Sequence, residues 1–334
     1  RARTVNLSEL SVAFPGRAKP ASHYKRQQRF FRSFELDYAV VAQLVVAWMA
    51  IPEPWVLAVD RTQWDVGTTT VNILTLGVVH EGIAFPLVWM MLDKKGNSNT
   101  DERIDLMERF YELFPHVQVR CLTTDREFVG GDWLSYLLLA PDAKLKTPFR
   151  MRIRDSELLG DGHQQLKVRV VFAHLQPGQT QAILLRRGFA NAKRRRLWGR
   201  WVYVVATRMS DNKLLVIATD RAPDTALADY ALRWSIETLF GMFKSRGFCL
   251  EETSMREAER LKKLFALLTL ALCWAVKVGQ WLHAAKPLVV KAHGRLAKSV
   301  FRYGFDHLRH IFMNLTQPQQ QQDFQLVVQF LSCT

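Results

Sequence analysis

Cysteine is scarce in this sequence, and the few cysteines form no recognisable pattern. The 334 residues contain four of them, with no C-x-x-C pair and no spacing that suits a metal ion. Cys121 lies in a predicted buried strand and Cys273 in a predicted apolar helix. We therefore expect reduced core residues, as is usual in a cytosolic protein. The four are Cys121, Cys249, Cys273 and Cys333.

Membrane-length hydrophobic runs and phosphate-binding glycine loops are also missing. The apolar run 264–279 is shorter than a membrane span and contains Lys277, so a core helix is expected there and no membrane contact. No Walker-type or dinucleotide-type glycine loop occurs, which argues against ATP or nicotinamide cofactors. No stretch has the features of a signal peptide, and we expect a cytoplasmic protein. The sequence opens at Arg1 without an initiator Met, so residues upstream are expected.

Acidic residues are scarce in two segments, which give the chain its formal net charge of +15. Residues 144–208 contain 15 Lys and Arg against 3 Asp and Glu, and residues 1–32 contain 8 against 1. Such concentrated positive charge is typical of surfaces that face a polyanion. A cationic surface that only favours solubility is the alternative.

The first fifty residues predict helices. Segment 22–34 mixes cations with aromatic residues, and the apolar stretch 36–50 follows it. Cations interleaved with aromatic side chains suit phosphate contacts by a small helical DNA-binding unit. An amphipathic helix packed on the next domain explains the same pattern equally well.

The next region alternates strands and helices in the order of an RNase H-like α/β domain. Two apolar strands each end in an acid, the first in Asp60 and the second in Asp125. Turn residues at 80–82 predict a hairpin between two further strands. The remaining predicted elements of this region are strands 71–79, 83–92 and 117–124 and helices 100–114 and 132–139.

A β-rich stretch then interrupts this domain. Short strands are predicted over 167–172, 182–185, 201–207 and 214–218, with turn signals between them. Within the stretch, 193–201 reads Lys-Arg-Arg-Arg-Leu-Trp-Gly-Arg-Trp. The arginines can contact phosphates, and a tryptophan offers a face on which an unpaired base can stack. A core position under the sheet is the alternative for each tryptophan.

The segment that follows predicts one helix from about Thr225 to Arg246, because it lacks Pro and its apolar residues recur at helical spacing. Gly241 is expected to leave one face of this helix open. A solvated salt-bridge face is the alternative. The residues that share this face, within an arc of roughly 60°, are Tyr230, Arg233, Glu237 and Lys244.

The C-terminal part predicts mainly helix. Residues 255–285 are expected to form long helical material, and 286–302 is basic. We interpret the glutamine run 317–322 as a polar linker or surface loop. His307 and His310 lie three residues apart without a nearby cysteine, which argues against a zinc site.

Asp60, Asp125 and Glu237 are candidate catalytic residues and metal ligands. The aspartates end hydrophobic strands, where α/β sheets place ligand-binding residues. Carboxylates are the ligands that Mg²⁺ prefers, and acids that hold two such ions support in-line displacement at a phosphodiester. A lone aspartate at a strand end is more often a cap or turn residue. The combination with the helix favours a catalytic site.

The four spaced residues on the predicted helix, downstream of two strand-end aspartates, resemble the signature of the DDE-type transposases of bacterial insertion sequences, specifically the "insertion sequence four" family. The resemblance extends from Arg1 to about Ala285. It implies an RNase H-like catalytic domain interrupted by a β-stranded insertion, with a helical N-terminal DNA-binding region and a helical C-terminal region. The boundaries are 1–50 for the DNA-binding region, 51–143 and 221–285 for the two catalytic parts, 144–220 for the basic insertion and 286–334 for the C-terminal region.

The resemblance implies a cut-and-paste transposase. Mg²⁺, with Mn²⁺ as a substitute, would act at the three acids to cut the strand at the element's end. The freed 3′-OH would attack the opposite strand to give a hairpin, which is hydrolysed before strand transfer. The implied partners are the terminal inverted repeats, the target DNA and a second copy of the chain, with the dimer bound to paired ends and the nucleoid as the location when DNA is bound.

The resemblance also implies roles for individual residues. Arg126 would hold a phosphate or a carboxylate, with a structural salt bridge as the alternative. Trp198 or Trp201 would stack on a base flipped from the DNA end. The residues expected to contact DNA phosphates from the helix are Tyr230, Arg233 and Lys244, and those expected to do so from the insertion are Arg194, Arg195 and Arg196.

Two other functions fit the sequence. One is a metal-dependent nuclease of the same fold that only hydrolyses DNA, which the lack of strand-transfer products would identify. The other is a catalytically silent DNA-binding protein derived from a transposase. Binding of DNA ends without Mg²⁺-dependent cleavage would support that function.

Overall fold

A computed structural model gives the structure of the chain as one large mixed β-sheet with helices packed against it. Within the described residues, the sheet has 11 strands, which include both antiparallel and parallel neighbours. The residues that the structure describes are 4–14, 17–139, 146–160, 164–183, 194–221, 223–292 and 294–332.

Three helices form the N-terminal region: α1 (Leu7–Ala13), α2 (Pro20–Ser33) and α3 (Tyr38–Met49). The side chain of Asp37 caps α3 by accepting from two backbone N–H groups of its first turn, which satisfies donors that lack a partner within the helix. The apolar α3 packs on the sheet and on a C-terminal helix, while α2 exposes most of its cations. The predicted helices are confirmed.

The first sheet strands are β1 (Trp55–Val66), β2 (Thr69–His80) and β3 (Ile83–Met91), which pair in antiparallel fashion. Glu81 and Gly82 join β2 to β3, both with positive φ, as a two-residue hairpin turn requires. The predicted hairpin is therefore confirmed.

The prediction that the first strand ends at Asp60 is wrong. Pairing of β1 with β2 continues as far as Val66, and the polar residues after Asp60 alternate with buried Thr62 and Trp64. The strand β4 (Val119–Thr124), which lies parallel to β1, pairs only as far as Val59. Asp60 therefore follows the end of the parallel pairing and not the end of the strand.

Two helices flank β4. The helix α4 (Thr100–Leu113) was predicted from the sequence, and it starts at a capping box in which Asn99 and Glu102 each bond the other's backbone. The helix α5 (Gly131–Leu139) comes after the loop that contains Asp125.

The β-rich stretch continues the same sheet. Its first strand, β5 (Phe149–Ile153), lies parallel to β4, and antiparallel strands extend the sheet from there. The domain boundaries around this stretch stay a prediction. The further strands are β6 (Leu158–Gly160), β7 (Gln165–Lys167), β8 (Thr180–Ala182), β9 (Arg194–Leu197), β10 (Arg200–Arg208) and β11 (Leu214–Thr219).

Two strand predictions in this stretch need correction. Over 167–172 the chain forms a short helix, α6 (Val168–Val171). The Val168 N–H still donates to the Glu157 carbonyl beside the β6–β7 pairing, but the Phe172 N–H donates to the Val168 carbonyl at 3.1 Å, a helical hydrogen bond that ends the strand. The strand predicted over 182–185 begins earlier, as β8, and residues 184 and 185 lie outside the described residues.

The single helix predicted over 225–246 is interrupted. After a 3₁₀ turn at Pro223–Thr225, the chain forms α7 (Ala226–Ala231) and α8 (Trp234–Phe243). Between them the backbone makes i→i−3 hydrogen bonds, such as Arg233 N–H to the Tyr230 carbonyl at 2.9 Å. The helix α7 packs on β4, β5 and β11, whereas α8 packs on β1, β2 and β3. The interruption lets each segment follow its own part of the sheet.

Three helices complete the chain: α9 (Ala258–Ala285), α10 (Val300–Met313) and α11 (Pro318–Gln329). The helices α9 and α10 cross closely, because a Cβ on Gly304 would come within 1.9 Å of the Ala275 carbonyl oxygen. The apolar run 264–279 lies within α9 and is largely buried, as predicted. Among the described residues, no helix has the length and apolar character that crossing a membrane requires.

The glutamine run is not a linker or surface loop. It forms the first turns of α11, in which Pro318 occupies the first position and Gln320 is buried. Phe324 packs on α10 and the Val327 carbonyl accepts from Trp274, so tertiary packing supports the helix despite its polar composition.

The predicted fold class is confirmed. Three antiparallel strands are followed by two strands parallel to the first, and the β-rich stretch interrupts the α/β domain. Helical regions precede and follow this domain in the chain. Cys121 and Cys273 are buried and free, as expected. Cys333 lies outside the described residues.

Candidate functional site

Two aspartates from neighbouring parallel strands occupy the same row of the sheet. Val59 of β1 is level with Thr124 of β4, and Asp60 and Asp125 are the residues that follow. In parallel strands, residues of one row point to the same face. The two carboxylates therefore lie together where the parallel pairing ends.

Arg233, between α7 and α8, connects the helix acid to the first strand acid. Its Nη1 donates to Oδ2 of Asp60 at 3.3 Å, and its Nη2 donates to Oε1 of Glu237 at 2.5 Å. The Arg233 side chain is only 4% exposed, and its guanidinium lies beside the rings of Tyr230 and Trp234. Burial lowers the pKa of Arg233, but Tyr230, Glu237 and the two aspartates outweigh it and raise the pKa. The guanidinium therefore stays charged.

Burial raises the pKa of Asp60 from 3.8 to about 7. The backbone N–H of Arg61, which donates to Asp60 at 2.8 Å, and the charge of Arg233 lower this pKa. The negative charges of Glu127 and Asp125 raise it. An additional cation near Asp60 would favour its ionised form, because opposite charges lower the pKa of a carboxyl group.

Asp125 receives contacts from two other elements. The Tyr230 hydroxyl of α7 donates to its Oδ1 at 3.3 Å, and Nη1 of Arg152 in β5 does so at 3.4 Å. Burial raises the pKa of Tyr230, so the phenol remains a hydrogen-bond donor. Sequence reasoning missed Arg152. The alternation of arginine with apolar residues over 150–154 is the signal that could have indicated it.

A buried ionic cluster holds α7 against the sheet, and it too was missed. The Asp229 side chain is 1% exposed and pairs with Arg120 of β4 and with Arg150 of β5. Arg150 donates through Nε to Oδ2 of Asp229 at 3.1 Å, and the Thr225 hydroxyl donates to the same oxygen at 2.8 Å. Asp229 directly precedes Tyr230, so this cluster fixes the start of the segment that carries the site.

A second set of contacts fixes the loop after β4. Arg61 pairs with Glu127 at 3.0 Å, which links the residue after Asp60 to the loop that begins with Asp125. The buried Arg103 of α4 donates to the carbonyls of Glu127 and Val129, both at 3.1 Å. Neither arginine was singled out from the sequence.

Two further residues predicted to contact DNA, Lys244 and Arg126, form no ion pair with the three acids among the described residues. The Nζ atom of Lys244 pairs with Glu251 at 2.6 Å and donates to the Gln63 carbonyl at 3.4 Å. Arg126 is exposed and forms no ion pair with any residue that the structure describes. The described residues therefore give no support to the alternative that Arg126 forms a structural salt bridge.

The expectation that Gly241 leaves the helix face open is wrong. The Arg246 side chain covers this position, since a Cβ on Gly241 would come within 3.1 Å of Arg246 Nε. The chain bends back after Lys244, where the Arg246 N–H donates to the Gly241 carbonyl at 2.8 Å. A helix that continued straight to Arg246, as predicted, would lack this bend and would not bring the Arg246 side chain over Gly241.

The two tryptophans of the β-rich stretch lie near the β9–β10 turn. Trp201 is 40% exposed and the Arg196 guanidinium lies 4.9 Å from its ring centroid, so the core alternative is wrong for Trp201. Trp198 is half-buried and donates to Glu157 at 3.0 Å. It also lines a cavity of about 550 Å³ together with Arg196. The remaining residues of this motif, of which the structure describes no side chain, are Lys193, Arg194 and Arg195.

The donor set of the site consists of carboxylates. Within the described ranges, no three His, Cys, Asp or Glu side chains are arranged to hold a metal ion, and Arg233 lies between Asp60 and Glu237. Carboxylate oxygens are nevertheless the ligands that Mg²⁺ and Mn²⁺ prefer. Such an ion therefore fits the ligand type of the three acids Asp60, Asp125 and Glu237. Asp60 has a raised pKa, and the other two are partly exposed.

Comparison with known proteins gives a family match and distant structural similarity. The model of the family described as "Transposase DDE domain" matches residues 51–274. No curated protein matches the chain. The chain is similar to the piggyBac transposase in the cryo-EM structure of its synaptic complex with hairpin DNA, with 12% identity and a TM-score of 0.45. The match covers 82% of this chain and 54% of that one, so the chain spans about half the length of that transposase.

Proposed function

The chain belongs to the transposase DDE domain family, and we propose that it is a cut-and-paste DNA transposase of the "insertion sequence four" type. In this proposal the chain cleaves DNA at the ends of an insertion sequence and joins the freed ends to target DNA. Both steps are phosphoryl transfers at one site formed by Asp60, Asp125 and Glu237.

The observation that carries the proposal is the contact between the helix segment and the two strand acids. Arg233 bridges Asp60 and Glu237, and the Tyr230 hydroxyl reaches Asp125. Acids from three separated parts of the chain therefore surround one buried arginine. A solvated salt-bridge face does not explain this arrangement, because Arg233 is almost completely buried.

The three acids would hold Mg²⁺, with Mn²⁺ as a substitute. When bound, such ions activate a water or 3′-OH and stabilise the leaving oxygen of an in-line displacement. Asp60 would lose its proton as the site is loaded, because its pKa of about 7 makes protons compete with cations near neutral pH.

Arg233 and Tyr230 would bind the scissile phosphate. A guanidinium can form two parallel hydrogen bonds to a phosphate, and Arg233 presents both Nη atoms towards the acids. The Tyr230 hydroxyl would orient the phosphate from the Asp125 side. Lys244 and Arg126 would contact the DNA backbone further from the reacting atoms.

A hairpin intermediate requires the end of the strand to fold back sharply. We propose that Trp201 or Trp198 stacks on a base flipped from the DNA end, with phosphate contacts from Arg194, Arg195 and Arg196 of β9. The exposed ring of Trp201 suits stacking on a base, and base–aromatic stacking contributes about 1–3 kcal/mol. A Trp201→Ala variant that forms hairpins at the wild-type rate would exclude this residue.

The DNA partners are the terminal inverted repeats and the target. The helix α2 presents Lys25, Arg29 and Arg32 along one exposed side with no acid in its sequence, which suits phosphate contacts at the repeats. A homodimer on paired ends, with each end cut by the protomer bound to the other, completes the proposal.

The test uses DNA that carries the inverted repeats flanking the gene, incubated with Mg²⁺ and analysed on a denaturing gel. Wild-type protein is expected to give hairpin and joined products, and Asp125→Asn is expected to give neither. Hydrolysis products alone would favour a nuclease. Binding of the ends without cleavage by either protein would contradict the proposal and favour a catalytically silent DNA-binding protein.

A further inference from the structure

A basic groove lies beside the acid site, at the end of β5. It has a volume of about 680 Å³ and is bordered by the loop after β4, the end of β5, α6 and the β10–β11 turn. Asp155 is the one acid among the described residues that line it. The cations that line it are Arg126, Arg152, Arg154, Arg169, Arg208 and Lys213.

Three of these cations already have partners. Arg208 donates to the backbone carbonyls of Phe172, Leu175 and Asn212, so it holds the groove walls together. Lys213 pairs with an exposed aspartate of its own turn, and Arg152 contacts an acid of the site. These contacts make the groove a built feature of the fold.

The other three cations are exposed and form no ion pair with any part of the chain that the structure describes. They are Arg126, Arg154 and Arg169, and they approach the groove from three different elements. Six cations against one acid leave the groove with a positive charge, which attracts polyanions. The sequence indicated Arg126 and the basic segment that contains Arg154 and Arg169 separately, and only the fold brings the three residues together.

The groove is continuous with the acid site. Arg152 lines the groove and donates to Asp125 at 3.4 Å, and Arg126 is the residue after Asp125. A DNA strand whose phosphate lies at the acids can therefore run directly into the groove. The strand's next phosphates would then meet Arg154 and Arg169.

The lining chemistry indicates which part of DNA the groove would contact. No aromatic side chain is present among its described lining residues, and apolar contacts come from Ile153, Val170 and Leu214. Without stacking faces, the groove is suited to phosphates and sugars, which carry no sequence information. This distinguishes it from the turn that carries Trp198 and Trp201.

We propose that this groove binds the phosphodiester backbone of the DNA that continues beyond the acid site, independently of sequence, through Arg154 and Arg169. This inference rests on the proposed function, because it assumes that DNA is cut at the acid site. The DNA concerned is either the flank of the element or the target, since both present the same backbone.

The test compares two double variants of the full chain that lose the same charge. Arg154→Gln/Arg169→Gln alters the groove, and Arg109→Gln/Arg302→Gln alters two arginines outside it that pair with aspartates one turn away. Binding is followed by fluorescence anisotropy in EDTA across a salt series, so the readout does not require cleavage. The probes are a repeat that stops at the cleavage point, a repeat that continues into flanking DNA, and an unrelated duplex of equal length.

The groove variant is expected to bind at least one probe about ten-fold more weakly than wild type, with a salt slope smaller by about 2, because two phosphate contacts are lost. A loss of affinity only for the flank-bearing probe would show that the groove binds the flank of the element. An equal loss of affinity for the unrelated duplex would show that the groove binds DNA in general. Arg154→Lys/Arg169→Lys, which keeps both charges, is expected to retain most of the affinity.

Equal losses in the groove variant and the control variant, or no loss in the groove variant, would overturn the proposal. Weak binding by the Lys variant together with a lowered melting temperature would overturn it too, because the loss would then reflect folding. Failure of wild-type protein to cleave repeats in Mg²⁺ contradicts the proposed function alone, since the anisotropy result still reports on the groove.

Discussion

At the residue scale, Arg233 is the centre of the site. It connects a strand acid and a helix acid through its two Nη atoms, and it stays charged because its neighbours outweigh the effect of burial. A buried cation in contact with carboxylates lowers the cost of grouping like charges. Under the proposed function, the same cation would turn to a phosphate of DNA bound at the site.

Replacing Arg233 by Lys is expected to lower the rate of end cleavage by about ten- to a hundred-fold, because one ammonium cannot replace two charge-assisted hydrogen bonds. Arg246→Lys is the matched control, since Arg246 covers Gly241 on the same segment. The rates come from a time course on a denaturing gel at saturating DNA. Equal rates for both variants would contradict the role given to Arg233.

The raised pKa of Asp60 predicts that the stability of the fold depends on pH. Its pKa is about 7 in the folded chain and 3.8 in the reference state, so between these values the folded state holds more protons than the unfolded state. Stability from this group therefore falls as pH rises from about 4 to 7. The difference between these two pKa values corresponds to at most about 4 kcal/mol of the free energy of unfolding. The partial exposure of Asp60 reduces this contribution.

The Asp60→Asn variant is accordingly expected to be more stable than wild type at pH 8, by about 1–3 kcal/mol, and to lose this advantage near pH 4. Urea unfolding at several pH values gives the free energies of unfolding. Asp65→Asn, an exposed position in the same strand, serves as the control. A difference between Asp60→Asn and wild type that does not change with pH would show that burial does not raise this pKa.

At the element scale, the interruption between α7 and α8 positions the site. The helix α7 is held to the sheet by the buried Asp229 cluster, and α8 packs its apolar side on the first three strands. The turn between them carries Arg233 towards the acids. One straight helix would follow only one of these two packing surfaces.

Asp229→Asn is expected to destabilise the fold by about 3 kcal/mol, because it leaves the buried Arg150 without a charged partner. Denaturant unfolding at neutral pH measures the change. Asp224→Asn, an exposed acid of the 3₁₀ turn before α7, is expected to change stability by less than about 0.5 kcal/mol. Similar midpoints for the two variants would contradict the anchoring role of Asp229.

The sequence predicted elements that local patterns determine and missed features that depend on packing. The β2–β3 hairpin and the capped start of α4 follow from turn and capping residues. The continuation of β1 beyond Asp60 depends on pairing with β2, and α11 depends on contacts with α9 and α10. The contact of α11 with α9 is not visible in a local window, and the polar residues after Asp60 hid the local pairing of β1 with β2.

The same distinction applies to the site. The two aspartates were found from their positions at the ends of predicted strands, and Tyr230, Arg233 and Glu237 from their helical spacing. The structure brings these helix residues to the strand acids. Arg152 and Asp229 were missed because their importance comes from neighbours on other strands. A strand with alternating arginines and an acid near the start of a helix are both common in folded proteins, so neither pattern pointed to this site.

At the scale of the whole molecule, the fold brings widely separated segments to one edge of the sheet. Asp60, Asp125 and Glu237 come from β1, the loop after β4 and α8. The basic β-rich stretch extends the same sheet away from the acids, and its groove begins where Arg152 contacts Asp125. A polyanion bound along this surface would pass from the basic stretch to the acids.

We propose that these three acids form one cation site, and Mn²⁺ binding measured by isothermal titration calorimetry tests this proposal most directly. The titrations use the full chain, with and without a duplex of the terminal repeat, for wild type, Asp60→Asn, Asp125→Asn and Glu237→Gln. Asp224→Asn serves as the control. Each site variant is expected to weaken binding about ten-fold or more, because the number of ligand charges sets the affinity of such sites, while the control binds like wild type. Wild-type affinity in all three site variants would contradict the account.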